Sequence, residues 1–191
     1  MSTNNIIAYD ICPVNIVFNH LSNLIQQKYD DKGKIAASGK LNLDLFRHLQ
    51  SLEYYKLKSP KSLGVEWVND IIFPILSEYS KLSVMDLLHT FSNHFAEQIS
   101  DNIDTNSKVL ITGGGAYNDY LIQRIKDLTD CKIDIPDSTI IEYKEALIFG
   151  FLGVLRDLNI NNCYSSVTGA KKDHCSGTVS YTHLTLPTKL A

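Results

Sequence analysis

The sequence predicts an α/β fold, because short segments suited to β-strands alternate with segments of helical periodicity. A second observation is the run of Gly113, Gly114 and Gly115, which lies directly between a strand-like segment and a helical one. The third is composition: 44% hydrophobic and 20% charged residues over 191 positions are typical of a globular domain with its own core.

In the first half of the chain, Cys12 and Pro13 end a strand-like segment just after Asp10, and Pro74 interrupts a helical one. The predicted elements there are a strand over residues 5–11, helices over 14–29 and 41–52 separated by a loop at 30–34, a loop over 56–64, and a broken helix over 66–79.

The second half predicts a regular alternation of helices and strands. Ser83 and Asp86 have the spacing of a capping box at the start of a helix, and Pro136 closes a short strand. The predicted elements are a helix over 83–99, a buried strand over 108–112, a helix over 116–128, a strand over 131–135, and a helix over 141–158 that is apolar enough to be buried.

The three glycines favour a ligand close to the backbone, because glycine permits positive φ and leaves room for phosphate at a strand-to-helix turn. A Walker phosphate loop is excluded, since residues 33–41 have the wrong spacing and end in Leu41, which lacks a hydroxyl. A dinucleotide-binding oxidoreductase domain is the alternative: Gly113 and Gly115 fit its fingerprint and Asp134 lies at a suitable distance, although Asn118 stands where the last glycine belongs.

Two carboxylates are candidates for chemistry. Asp10 ends a strand, where ligands of α/β sheets bind, so it is a general base, a metal ligand or a turn-forming residue. Glu145 stands in an apolar helix, as a functional carboxylate or as a residue favoured near a helix start. Lys61 and Ser62 could hold an anion, although a solvated loop lysine is the commoner case.

Composition and patterning exclude several classes of protein. A net charge of −3 and scattered basic residues argue against a nucleic-acid surface. We expect neither a membrane span nor a signal peptide, and therefore a cytoplasmic location with reduced thiols. The four cysteines form no C-x-x-C pair, and His174 beside Cys175 lacks partner ligands, so we predict no protein metal site.

Six segments together resemble one family, the anhydro-N-acetylmuramic acid kinases, and specifically the C-terminal half of forms found in Bacteroidetes-like bacteria. The resemblance covers residues 6–177. In order, the segments are YDICPVN at 9–15, AASGKLN at 36–42, PKSLGVEW at 60–67, TGGGAYN at 112–118, EALIFGFLG at 145–153 and SVTGAKKDH at 166–174.

The resemblance implies a lobe of the sugar kinase, Hsc70 and actin superfamily, with a mixed sheet flanked by helices and ATP in the cleft between two lobes. It implies an enzyme of peptidoglycan recycling that opens the anhydro bond of its amino sugar with water and phosphorylates O6. ATP and Mg²⁺ are the implied cofactors, and a homodimer is the implied assembly.

The resemblance also implies roles for individual residues. Asp10 is matched to the base that takes a proton from the attacking water. Glu145 and Asn15 are matched to binding of the sugar or that water. The glycine loop, Gly113, Gly114 and Gly115, is matched to the nucleotide-binding segment, with Asn118 supporting it.

This sequence departs from the family pattern at four positions: Cys12 and Val14 replace glycines, and Leu63 and Val65 replace Thr and Arg. The family's N-terminal phosphate loop is also absent. We therefore expect residues 1–178 to be the C-terminal kinase lobe, inactive by itself. Residues 179–191 begin like a translated sequencing adapter and are expected to be non-native.

Overall fold

The computed structural model describes residues 6–177, which divide into two compact units. One unit comprises residues 7–145, and the other comprises residue 6 with residues 146–177. The predicted adapter segment, residues 179–191, lies outside the described residues.

Helices dominate the described residues. They are α1 (Val14–Asn23), α2 (Lys34–Ser38), α3 (Leu43–Gln50), α4 (Glu53–Lys56), α5 (Val65–Trp67), α6 (Phe73–Glu78), α7 (Val84–Ser100), α8 (Asp119–Leu128), α9 (Ser138–Asp157) and α10 (Ser165–Thr168). The strands are β1 (Lys108–Leu110) and β2 (Lys132–Asp134), and short 3₁₀ or π-helical segments are Asp31–Gly33, Val68–Ile72 and Gly114–Tyr117.

The core of the larger unit is built around α7, against which α1, α2, α3 and α8 pack. Its Phe91 and Phe95 are fully buried, and Phe18 of α1 stacks at a tilt against Phe95 with ring centroids 5.5 Å apart. The predicted start of α7 is confirmed, since the Ser83 hydroxyl accepts a hydrogen bond from the Asp86 amide.

The predicted break over residues 66–79 is confirmed as a π-helical segment between α5 and α6. Pro74 follows this segment in the first turn of α6, and a wider π turn accommodates the amide that proline lacks. Two helices were predicted too long: the first ends at Asn23 rather than at residue 29, and the second spans Leu43–Gln50 rather than residues 41–52. Residues 34–38, which follow the predicted loop at 30–34, form the additional helix α2.

The sheet is smaller than predicted. Among the described residues it consists of β1 and β2, which are parallel, with Leu110 in register with Asp134 and with α8 as the crossover. Two predictions were wrong. Residues 6–13 form no strand, because no described segment pairs with them, and β1 is not buried, with Leu110 62% exposed.

Helix α9 forms as predicted, but the prediction that it is buried was wrong. Leu147 is 64% exposed and Phe149 is 71% exposed. Apolar residues occupy all sides of its second half, so burial would require cover on every side. Within residues 6–177, no segment buries these two side chains.

The rest of the smaller unit is irregular. Cys163 and His174 form an isolated antiparallel bridge, and the Asp173 carboxylate accepts hydrogen bonds from the amide and hydroxyl of Ser165. None of the helices within residues 6–177 has both the length and the apolar character that crossing a bilayer demands.

Candidate active site

Asp10 is held by the loop that precedes α5. One carboxylate oxygen, Oδ2, accepts hydrogen bonds from the Ser62 hydroxyl at 3.1 Å and the Leu63 amide at 2.8 Å. The backbone is held as well: the Asp10 amide donates to the Lys61 carbonyl, and the Tyr54 hydroxyl donates to the Asp10 carbonyl at 2.6 Å. The residue is exposed, so its carboxylate is both oriented and open to solvent.

Lys61 and Ser62 both form specific contacts. The sequence favours a solvated loop lysine at position 61, and the structure differs from that expectation. The Lys61 ammonium lies 4.7 Å from the centre of the Tyr54 ring and donates to the Tyr54 carbonyl. These contacts fix the loop that carries the two hydrogen-bond donors to Asp10. The signal available in the sequence was the order of the YDICPVN and PKSLGVEW segments.

The four departures from the family pattern leave this arrangement intact. Leu63 bonds Asp10 through its backbone amide, which any residue other than proline supplies. Cys12 and Val14 pack against the core, and burial raises the pKa of the Cys12 thiol to about 12. Val65 is exposed at the start of α5.

The glycine loop adopts a conformation that requires glycine at its first position. Gly113 has φ of +81° and ψ of −178°, a region that other residues rarely adopt. At Gly114 and Gly115, an added Cβ would come within 3.7 Å and 3.9 Å of the Asn15 side-chain amide. The loop therefore places its bare backbone beside the start of α1.

A cavity of about 410 Å³ opens on this loop. It is lined by Asn15, Phe18, Asn19, Tyr29, Asp30, Asp31, Lys32, Gly114, Gly115, Tyr117 and Asn118. Asn118 is buried, and its side chain accepts from the Leu121 amide, so it caps α8. Its side chain also packs on Gly33, where an added Cβ would collide with it. Asn118 thus fixes the start of α8 directly after the glycine loop.

The beginning of α9 runs past the same loop. Partial desolvation and the Glu142 carboxylate, which shares a hydrogen bond with the phenol, raise the pKa of Tyr117. The Lys144 ammonium lies 3.7 Å from the position of an added Cβ on Gly113. Sequence reasoning missed Lys144, because a lysine next to Glu145 near the start of an apolar helix carries no pattern of its own.

Glu145 lies on α9 as predicted, and it is exposed. Within residues 6–177 it forms no ion pair or hydrogen bond with the Asp10 loop. Of the other predicted residues, Asn15 is exposed near the start of α1, and its side chain lies beside Gly114 and Gly115.

The dinucleotide alternative receives no support from this geometry. The third glycine of that fingerprint is replaced by Asn118, whose side chain is committed to capping α8. Asp134 does not line the cavity at the glycine loop. Clusters of three or more His, Cys, Asp or Glu side chains able to hold a metal are likewise absent from residues 6–177.

Comparison of this sequence with known proteins identifies one family. The family model described as anhydro-N-acetylmuramic acid kinase matches residues 1–182. Similar proteins include the anhydro-N-acetylmuramic acid kinase of Francisella tularensis subsp. novicida (strain U112), 32% identical over 93% of this chain and 50% of the relative. The enzyme of that name from Clostridioides difficile (strain 630) is 31% identical over 93% of this chain and 49% of the relative.

The corresponding protein of Rhodococcus erythropolis is 30% identical over 91% of this chain and 46% of its own length. The chain therefore spans about half the length of the relatives that it matches. Because the family model covers nearly all of the sequence, including Asp10, the glycine loop and α9, this chain belongs to the anhydro-N-acetylmuramic acid kinase family.

Proposed function

We propose that this chain is the C-terminal lobe of an actin-like kinase that opens 1,6-anhydro-N-acetylmuramic acid with water and phosphorylates its O6. The product is N-acetylmuramic acid 6-phosphate, formed in the cytoplasm during peptidoglycan recycling. The observation that carries this proposal is the Asp10 carboxylate, oriented by Ser62 and Leu63 and exposed to solvent, in the same compact unit as the glycine loop.

Asp10 acts as the general base in this proposal. Its Oδ2 is occupied by two donors, while Oδ1 has no hydrogen-bond partner within residues 6–177 and is available to a water molecule. As Asp10 takes the proton, the water oxygen bonds to the anomeric carbon of the sugar. The bond between that carbon and O6 breaks, which leaves O6 as the acceptor for a phosphoryl group.

Glu145 and Asn15 hold the sugar or the attacking water in this proposal. Glu145 is an exposed carboxylate one residue from Lys144, which lies at the glycine loop. The Asn15 amide lies beside Gly114 and Gly115 and offers both a donor and an acceptor. Both residues come from the same compact unit as Asp10.

The glycine loop and its cavity fit a nucleotide. Gly113 and its neighbours leave backbone exposed to a ligand, and the cavity of about 410 Å³ has a size suited to part of a small-molecule ligand. Gly113, Gly114 and Gly115 would hold ATP, with Asn118 supporting the loop. ATP bound there with Mg²⁺ would supply the phosphoryl group.

The test uses the complete open reading frame that contains this sequence, recovered from the source DNA and expressed. ATP-dependent phosphorylation of anhydro-N-acetylmuramic acid is measured for the parent, Asp10→Asn and Ser62→Ala. We expect Asp10→Asn to abolish turnover. Ser62→Ala should lower kcat roughly tenfold with little change in KM, because one charge-assisted hydrogen bond to Asp10 is lost.

Ser51→Ala is the matched control, since that exposed hydroxyl donates to the His48 carbonyl and not to Asp10. An inactive parent protein, with ATP and Mg²⁺ present, would contradict the proposed function. An active parent with a fully active Asp10→Asn variant would retain the kinase and overturn the role of Asp10. A homodimer of the complete protein, also proposed from the resemblance, is tested by sedimentation of the same preparation.

A further inference from the structure

The ammonium of Lys144 is the nearest side-chain group to the open face of Gly113. An added Cβ on Gly113 would lie 3.7 Å from the Lys144 Nζ, and no other atom outside the neighbouring residues comes within 4 Å of that position. Gly113 has a positive φ of 81° and carries no side chain on this face. The Lys144 ammonium therefore lies beside bare backbone at the start of the glycine loop.

Lys144 also differs from the other cations near the cavity. Lys32 is paired with Asp119 at 3.9 Å, and Lys34 is paired with Asp31 at 2.7 Å. Lys144 forms no ion pair within residues 6–177, although it is only half-exposed. Its neighbour on α9, Glu142, is engaged with the Tyr117 phenol.

The Lys144 site directly adjoins the cavity along the chain. Gly114, Gly115 and Tyr117 line the cavity of about 410 Å³, and Gly113, with the Lys144 ammonium beside it, lies at the preceding end of the loop. Consecutive Cα atoms lie about 3.8 Å apart, so a ligand in the cavity at Gly114 can extend to Gly113 and the Lys144 ammonium.

We infer that Lys144 binds the phosphate chain of the nucleotide and neutralises part of its charge at the glycine loop. This inference rests on the proposed kinase function. Lysine suits the role because its ammonium is a compact charge on a flexible stem, which can follow a phosphate without fixed geometry. Gly113 complements it, because the missing side chain lets phosphate oxygens approach the backbone.

Calorimetric binding of ATP, ADP and adenosine to the complete protein tests the inference without requiring turnover. Lys144→Gln should weaken ATP and ADP binding by about tenfold or more, the loss expected for one charge-assisted contact, and should leave adenosine binding unchanged. Lys144→Arg should retain most of the affinity. Added NaCl should weaken ADP binding less in Lys144→Gln than in the parent.

Lys126→Gln is the matched control, because Lys126 is an exposed lysine in the last turn of α8 that does not line the cavity. Equal loss of adenosine and ADP affinity in Lys144→Gln would show that the lysine only shapes the loop. If the parent binds ADP and Lys144→Gln binds it equally well, the role of Lys144 is overturned and the proposed function is not. A parent that binds neither ATP nor ADP would contradict the proposed function as well.

Discussion

A backbone amide and a hydroxyl hold the Asp10 carboxylate, and this small set of contacts explains why the loop sequence can vary. The Leu63 amide provides its bond whatever the side chain, so replacement of the family threonine costs nothing at Asp10. Ser62 provides the bond that depends on its side chain. A substitution of Leu63 therefore preserves its hydrogen bond to Asp10, whereas a substitution of Ser62 that removes the hydroxyl loses one.

His94 shows the opposite situation, a polar side chain without partners. It is fully buried on α7, neither ring nitrogen forms a hydrogen bond, and the Tyr55 ring lies edge-on with centroids 4.7 Å apart. Burial lowers the pKa of His94 to about 3 from an ordinary value of 6.5. The neutral imidazole is therefore built into the core.

Acid should destabilise the chain through His94. Its folded-state pKa is depressed, so the unfolded chain binds the extra proton below pH 6.5. The free energy of unfolding should fall by up to roughly 1.4 kcal/mol per pH unit between pH 6.5 and about 3. Urea unfolding at pH 7.5 and pH 5 measures this slope.

The control is His94→Leu, which should flatten the dependence between pH 6.5 and 5, above the range where carboxylates titrate. An equal slope in the two proteins would show that other groups account for the acid sensitivity.

At the scale of elements, the connection from β1 to α8 combines two different kinds of constraint. Gly113 supplies a backbone conformation, while Asn118 supplies a cap for the helix that follows. The glycine run thus contains one position that the backbone requires to be glycine and two that leave space beside Asn15.

Substitution of glycines should separate these constraints. Gly113→Ala should lower the free energy of unfolding by about 1–3 kcal/mol, because its conformation is strained for any residue with a Cβ. Gly150→Ala, in the middle of α9 with nothing within 4 Å of the new Cβ, should instead be neutral or stabilising by up to about 1 kcal/mol. Urea unfolding of both variants gives the comparison, and equal effects would contradict the strain at Gly113.

At the scale of the whole molecule, an unusual amount of large apolar surface is exposed on one helix. Phe149 and Phe151, in the second half of α9, are 71% and 59% exposed. Contiguous apolar surface of this kind is uncommon on an independent globular protein. The chain spans about half the length of the relatives that it matches.

The 191-residue chain should therefore bind hydrophobic dyes. We expect strong fluorescence of 8-anilinonaphthalene-1-sulfonate with the parent chain and clearly weaker fluorescence with Phe149→Ser combined with Phe151→Ser. Leu43→Ser, an exposed apolar position on α3, is the control and should change little. Equal dye binding by the parent and the double variant would show that α9 is covered in solution.

The elements that local pattern specifies were predicted well. The 3.6-residue spacing of apolar residues and the Ser83 cap located α7, and the glycine run located the turn before α8. The resemblance of six short segments indicated the family, which the family model confirms. The roles of Asp10, Asn15, Glu145 and the glycine loop remain predictions.

What the sequence by itself determined was the alternation of β1, α8, β2 and α9, the turn at the glycines, and membership in the family, because these depend on neighbouring residues and ordered motifs. Only the tertiary structure decided which residues meet. Ser62 reaches Asp10 across 52 positions, and Lys144 reaches Gly113 across 31. Burial was also decided there, since an apolar helix such as α9 is buried only where another segment covers it.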